Sequence, residues 1–192
     1  MFHTQHHTFL VRIPNMIFPK YNGHRKPNRL SRHEMVLATA AKAPPARDFA
    51  VAAFSLDIDT NIQVIYRNLA CFNGKEMFII GSRKWFRGAT NGLENFIPIT
   101  YCKTPTAFIQ QSRAAGYALV SVELSESAVD VADAIYPKKP CFILGNETYG
   151  VTGDVIHRSD LVVQIPMNGV HPCLNVAVTS GIIMHDYLTK AG

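Results

Sequence analysis

The chain has no apolar run near the roughly 20 residues that a membrane-spanning helix needs. It also lacks the apolar stretch of a secretory signal near its first residues, so neither a spanning helix nor a cleaved leader is expected. Its four cysteines, Cys71, Cys102, Cys141 and Cys173, show no metal-ligand spacing, and three of them stand in apolar runs. This predicts reduced, mostly buried thiols in a cytoplasmic protein and no metal centre. The segment "GNETYG" (145–150) lacks the Gly-Lys-Ser/Thr ending of a phosphate-binding loop and is not a dinucleotide fingerprint, which disfavours a nucleotide-binding oxidoreductase. Internal repeats and low-complexity tracts are missing too. Acidic residues are nearly absent from residues 1–47, where Glu34 stands alone.

What is present is a chain of 192 residues, 47% apolar and 17% charged, long enough for one sizeable core with an appendage. The net charge of +5 is uneven. Residues 1–47 hold Arg12, Lys20, Arg25, Lys26, Arg29, Arg32, Lys42 and Arg47, a net +7, whereas 48–192 carry −2. A basic arm on a nearly neutral body predicts a polyanionic partner, nucleic acid first, and Phe9, Phe18 and Tyr21 interleave the bases as stacking residues would. The alternative is a solvated leader with no binding role. Pro44 and Pro45 punctuate the end of this arm, and a single domain over 48–192 is expected.

Within 48–192, apolar runs read as strands at 49–56, 77–80, 97–101, 117–124, 141–145 and 160–165. Helical patterns fall over 60–72, 104–115, 127–136 and 173–188. Continuous apolar strands alternating with helices predict an α/β fold with a largely parallel sheet flanked by helices. Ligands of such sheets lie beyond the carboxyl ends of the strands. Three segments there combine Gly, Asn or charge with a strand end: "DIDTNIQVIYR" (57–67), "LGNETYGV" (144–151) and "QIPMNGVHPCLNVAV" (164–178).

In order and spacing these segments resemble the three motifs of the SpoU (TrmH-like) branch of the SPOUT RNA methyltransferases. Asn61 and Arg67 match the first motif, an Asn with an Arg six residues on. Leu144, Gly145, Glu147 and Gly150 match Leu-Gly-x-Glu-x-x-Gly. "IPM" at 165–167 and "CLNV" at 173–176 match the third. The resemblance covers about residues 48–190. It implies a C-terminal trefoil knot, a homodimer, S-adenosyl-L-methionine as methyl donor and an RNA ribose 2′-hydroxyl as acceptor, with tRNA favoured over rRNA. It further implies that Gly145, Ile165 and Leu174 line the cofactor pocket, and that Asn61, Arg67, Glu147 and Asn175 form the catalytic cluster. The other reading of the same motifs is a catalytically silent knotted RNA-binding protein.

Asn175 carries a question of its own. A carboxamide among Leu174, Val176 and Val178 needs partners, and it finds them either in the cleft or in nearby backbone. A guanidinium stays protonated, so Arg67 suits stabilisation of developing negative charge and phosphate contact better than proton abstraction, although the resemblance also permits a base role. Two departures from the motifs stand out. Cys173 replaces a Ser and Gln63 replaces a small residue, usually Gly. The last helix is apolar on more than one face, with Val176, Val178, Ile182, Ile183, Met184 and Leu188, which also points to a dimer.

Overall fold

The computed structural model describes residues 32–55, 59–81 and 93–191. Most of the expected arm, residues 1–31, lies outside them. The rest of that arm includes helix α1 (Arg32–Ala40), exposed along most of its described length, and the first residue of the sheet. Seven strands form one parallel sheet among the described residues: β1 (Arg47–Phe54), β2 (Gly74–Ile80), β3 (Ile99–Cys102), β4 (Ala118–Val122), β5 (Val129–Asp130), β6 (Pro140–Leu144) and β7 (Leu161–Gln164). Their order is β3-β2-β1-β6-β4-β7-β5.

Side chains alternate between the two faces of the sheet, and each face buries its own cluster. Phe49, Val51, Ala53, Met77, Ile79, Phe142 and Leu144 point to one face. There they meet Ile62, Ile65 and Leu69 of α2 (Asp59–Cys71) and Ala177, Ile183, Met184 and Tyr187 of α5 (Val176–Lys190). Ala50, Ala52, Phe78, Ile80, Cys141 and Ile143 point to the other. There they meet Phe108 and Ile109 of α3 (Pro105–Ala114) and Val155 of α4 (Gly153–His157). The result is three layers, helices on both sides of a sheet that must be apolar on both faces.

The topology fixes where chemistry can occur. The connection from β1 leads through α2 to β2 on one side, while the connection from the adjacent β6 leads through α4 to β7 on the other. Adjacent strands whose connections leave in opposite directions open a crevice at their carboxyl ends. Register brings those ends level: Ala53 pairs with Leu144, Val122 with Leu144, and Val122 with Val163.

The helix expected over 127–136 is not formed. Val129 and Asp130 pair with Val163 and Gln164 as β5 and cover the open edge of β7, and a short 3-10 turn, Val131–Asp133, follows. Locally, the Ser127 amide bonds to Ser125 Oγ and Asp130 Oδ1 accepts from Gln164 Nε2 at 2.7 Å, so side chains compete with the helical ladder. The last helix starts at Val176 and not at 173.

The thiols also differ from expectation. Cys102 and Cys141 are buried, but Cys71 and Cys173 are exposed. Burial raises the pKa of both internal thiols, which suppresses the reactive thiolate. In native protein at pH 8, Cys102 and Cys141 should therefore resist alkylation while Cys173 reacts, and all four should react in denaturant. Peptide mapping of the labelled sites checks this.

Candidate active site

Asn61 lies in the first turn of α2, just beyond β1, and is only 8% exposed. A buried carboxamide with unmet donors and acceptors would cost several kcal/mol at worst and about 1–3 kcal/mol by protein measurements. Both ends are met here by residues far away in sequence. Asn61 Nδ2 donates to Glu147 Oε1 at 2.6 Å, and Asn175 Nδ2 donates to Asn61 Oδ1 at 3.2 Å. Three of the four residues expected in the catalytic cluster thus form one hydrogen-bonded chain.

The two readings of Asn175 prove compatible. It is the N-cap of α5, its Oδ1 accepting from the amides of Ala177 at 2.9 Å and Val178 at 3.4 Å. Because the oxygen faces helix donors, the nitrogen must face Asn61, so Asn61 presents its oxygen to Asn175 and its nitrogen to Glu147. The chain therefore has a fixed direction, running from the positive end of a helix to a carboxylate.

Arg67 is placed differently. Six residues beyond Asn61, it emerges about 120° away from Asn61 around the helix axis, and it is exposed. A buried Arg67–Glu147 ion pair is therefore not formed. Gln63 is partly buried on the same helix. Cys173, where the family motif has Ser, is exposed, with Sγ 3.9 Å from His171 Nδ1.

The turn that carries Glu147 is built by its own residues. Asn146 and Gly150 exchange backbone bonds of 3.1 and 2.8 Å, and Asn146 Oδ1 accepts from the amides of Thr148 and Tyr149. Asn146 Nδ2 ties the turn to Ser55 O at the end of β1, 2.9 Å away. A side chain at Gly145 would collide with the main chain of Gly150 and Val151, and Gly150 adopts φ +65°.

The sequence reading missed two supports of this site. Glu123, just past β4, accepts from the Val151 amide at 2.7 Å and from its neighbour Leu124 at 3.1 Å. Asn68 crosses from α2 to α5, donating to Ala177 O at 3.0 Å and to Ser180 Oγ at 2.9 Å. The available signal was a polar residue ending or interrupting an apolar pattern, and nothing local to it indicates the distant partner.

The expected cofactor residues sit at the same edge of the sheet. Gly145 follows β6, Ile165 follows β7, and Leu174 precedes α5. Gly145 and Ile165 are partly buried, and Leu174 keeps 38% of its surface exposed. A cavity of about 750 Å³ lined by Tyr136, Lys138, Tyr187 and Lys190 lies elsewhere, beside the start of β6, and contains none of these groups.

A doubly wound parallel sheet with a polar cluster at its strand switch defines an α/β fold of the class whose ligands bind at the carboxyl edge. The chain belongs to the SpoU rRNA methylase family, whose model matches residues 48–185. It is 28% identical over 144 residues to the mouse tRNA (guanosine(18)-2′-O)-methyltransferase TARBP1, matching 71% of this chain and 9% of that protein. It is 29% identical over 99 residues to the tRNA (guanosine(18)-2′-O)-methyltransferase of Aquifex aeolicus, matching 52% of this chain and 47% of that one. The chain thus spans less than half the length of either relative. Among solved structures, the A. aeolicus TrmH/SpoU tRNA modifying enzyme superposes with TM-score 0.71 at 23% identity, covering 82% of this chain and 83% of the other. The AdoMet-bound rRNA methyltransferase from Sinorhizobium meliloti gives 0.66 at 25%, covering 77% and 58%.

The Glu123–Val151 bond predicts a local effect. Glu123→Ala should accelerate hydrogen exchange of the Val151 amide by roughly tenfold or more, since a bond to a charged acceptor contributes about 1.5–3 kcal/mol. Glu123→Gln, which keeps an acceptor oxygen, should accelerate it far less. Amide exchange followed by NMR checks both.

Proposed function

We propose that this domain transfers a methyl group from S-adenosyl-L-methionine to a ribose 2′-hydroxyl of RNA, with tRNA as the favoured substrate class. The observation that carries this reading is the Asn175–Asn61–Glu147 chain at the carboxyl edge of β1, β6 and β7. Family membership and the tRNA 2′-O-methyltransferases among its relatives support it.

The residues present fit the cofactor. Ile165 and the half-open Leu174 offer apolar surface to a flat adenine. Gly145, against which the main chain of Gly150 and Val151 packs, fixes the turn beside that surface. When bound, S-adenosyl-L-methionine supplies a methyl group on an electrophilic sulfonium. The protein's share is orientation and electrostatics. Each carboxamide in the chain has a second N–H with which to hold an incoming oxygen, and the hydrogen-bond chain keeps it from rotating. Glu147 anchors Asn61 and so acts as an orienting group. Arg67, exposed and permanently charged, receives the phosphate beside the acceptor ribose and stabilises negative charge developing on the oxygen.

The same reading includes a trefoil knot in the C-terminal part, a homodimer and a cytoplasmic location. The dimer has physical support. Exposed Val178 (52%) and Ile182 (37%) on α5 lie next to α2, where Val64 is 40% exposed. These apolar side chains are left over after Ile183, Met184 and Tyr187 have filled the core. Among the described residues no helix is long and apolar enough to cross a membrane. The basic arm supplements the cleft by neutralising RNA phosphates without reading sequence.

Arg67→Ala should lower methyl transfer to total tRNA by roughly 100-fold, with cofactor affinity by calorimetry essentially unchanged, and Arg67→Lys should restore little. Full activity in the Ala variant would remove Arg67 from the reaction. Deleting residues 1–31, which spares β1, should weaken tRNA binding and flatten its dependence on salt while leaving cofactor affinity intact. An equal salt slope for both proteins would make the arm a leader without a binding role.

A further inference from the structure

We propose that Tyr149 is a stacking platform for an unpaired nucleobase of the RNA, set beside the site that holds the acceptor ribose. The proposal rests on the reading that RNA is the substrate, and it adds a binding subsite that the catalytic cluster does not contain.

Tyr149 is 82% exposed. Exposure alone means little, since isolated apolar side chains are common on protein surfaces. What sets Tyr149 apart is the rigidity of its support. Its amide bonds to Asn146 Oδ1 at 3.3 Å, within a turn closed by the paired main chains of Asn146 and Gly150. That turn is fastened at two further points, by Asn146 Nδ2 on Ser55 O and by Glu123 Oε2 on the Val151 amide. The same turn carries Glu147, which reaches Asn61. Tyr149 follows by two residues, so the two Cα atoms are at most about 7 Å apart. An aromatic ring on a fixed main chain is therefore presented to solvent within one nucleotide's reach of the polar cluster.

The chemistry supplies the occupant. Presenting a 2′-hydroxyl to a cluster whose central residue, Asn61, is buried requires the nucleotide to be splayed from its neighbours, which forfeits base stacking. An exposed aromatic face restores that stacking for any base, and Tyr brings a large area with only two rotatable side-chain bonds to order. The loop after β7, which leaves the same edge of the sheet, adds exposed Val170 and His171. Ile135, 90% exposed, serves as a contrast, since it precedes the start of β6 and has no π face.

The test compares wild type, Tyr149→Ala and Tyr149→Phe. The readouts are filter binding of total tRNA, KM and kcat for methyl transfer to it, and cofactor affinity by calorimetry. Stacking on one base predicts that Tyr149→Ala raises both the RNA dissociation constant and KM by roughly 5- to 150-fold. Cofactor affinity and thermal stability should stay as in wild type, and Tyr149→Phe should behave like wild type because the ring and not the hydroxyl acts. Unchanged RNA affinity and KM in an otherwise active Tyr149→Ala protein would overturn the stacking assignment alone. A wild-type protein that neither binds nor methylates RNA would overturn the proposed function, and this inference with it.

Discussion

The directed hydrogen-bond chain from the α5 amides through Asn175 and Asn61 to Glu147 is the constraint on which the rest of the site depends. Its three side chains come from three segments separated by 86 and 114 positions from Asn61. The geometry therefore exists only when the whole sheet is assembled. Its polarity is set at one end by helix amides that can only donate, and this leaves the carboxamides no alternative orientation. A carboxylate at the far end completes the sequence as an acceptor. Such a chain turns two flexible amides into fixed donors, as is needed where an oxygen must be held for reaction.

Most of the polar structure nearby serves to keep that chain in place. Asn68 locks α2 to α5 through Ala177 O and Ser180 Oγ, so the helices bearing Asn61 and Asn175 cannot slide independently. Glu123 and Asn146 bind the Glu147 turn to the ends of β4 and β1. The apolar layers beneath supply rigidity of another kind. Phe49, Phe142, Tyr136 and Tyr187 pack edge to face with ring centroids 5.5–6.3 Å apart, holding α5 against the sheet.

How much of this could be read from the sequence differs by element. β1, β6 and α2 were legible because continuous apolar runs and a 3.6-residue period are local signals. The 127–136 segment was not, because whether Val129 continues a helix or extends a sheet depends on the unpaired edge of β7 some 34 residues later. Asn61, Glu147 and Asn175 were identified through motif resemblance, and their mutual contact is a product of topology. Asn175 also shows that a local and a distant partner need not compete, since one amide satisfies both with its two ends. Glu123 and Asn68 stayed hidden because a lone polar residue beside an apolar pattern reads the same whether it meets water or a distant backbone group. The exposure of Arg67 likewise depends on which face of α2 the sheet covers.

The central claim is that this edge of the sheet methylates ribose oxygen in RNA. The most direct measurement incubates the purified protein with isotopically labelled S-adenosyl-L-methionine and total tRNA, digests the RNA to nucleosides and locates the label by mass spectrometry. The account predicts label on the ribose of a 2′-O-methylnucleoside, lost when Asn175 is replaced by Ala. Label on a nucleobase, or no label with RNA and cofactor both bound, would contradict it.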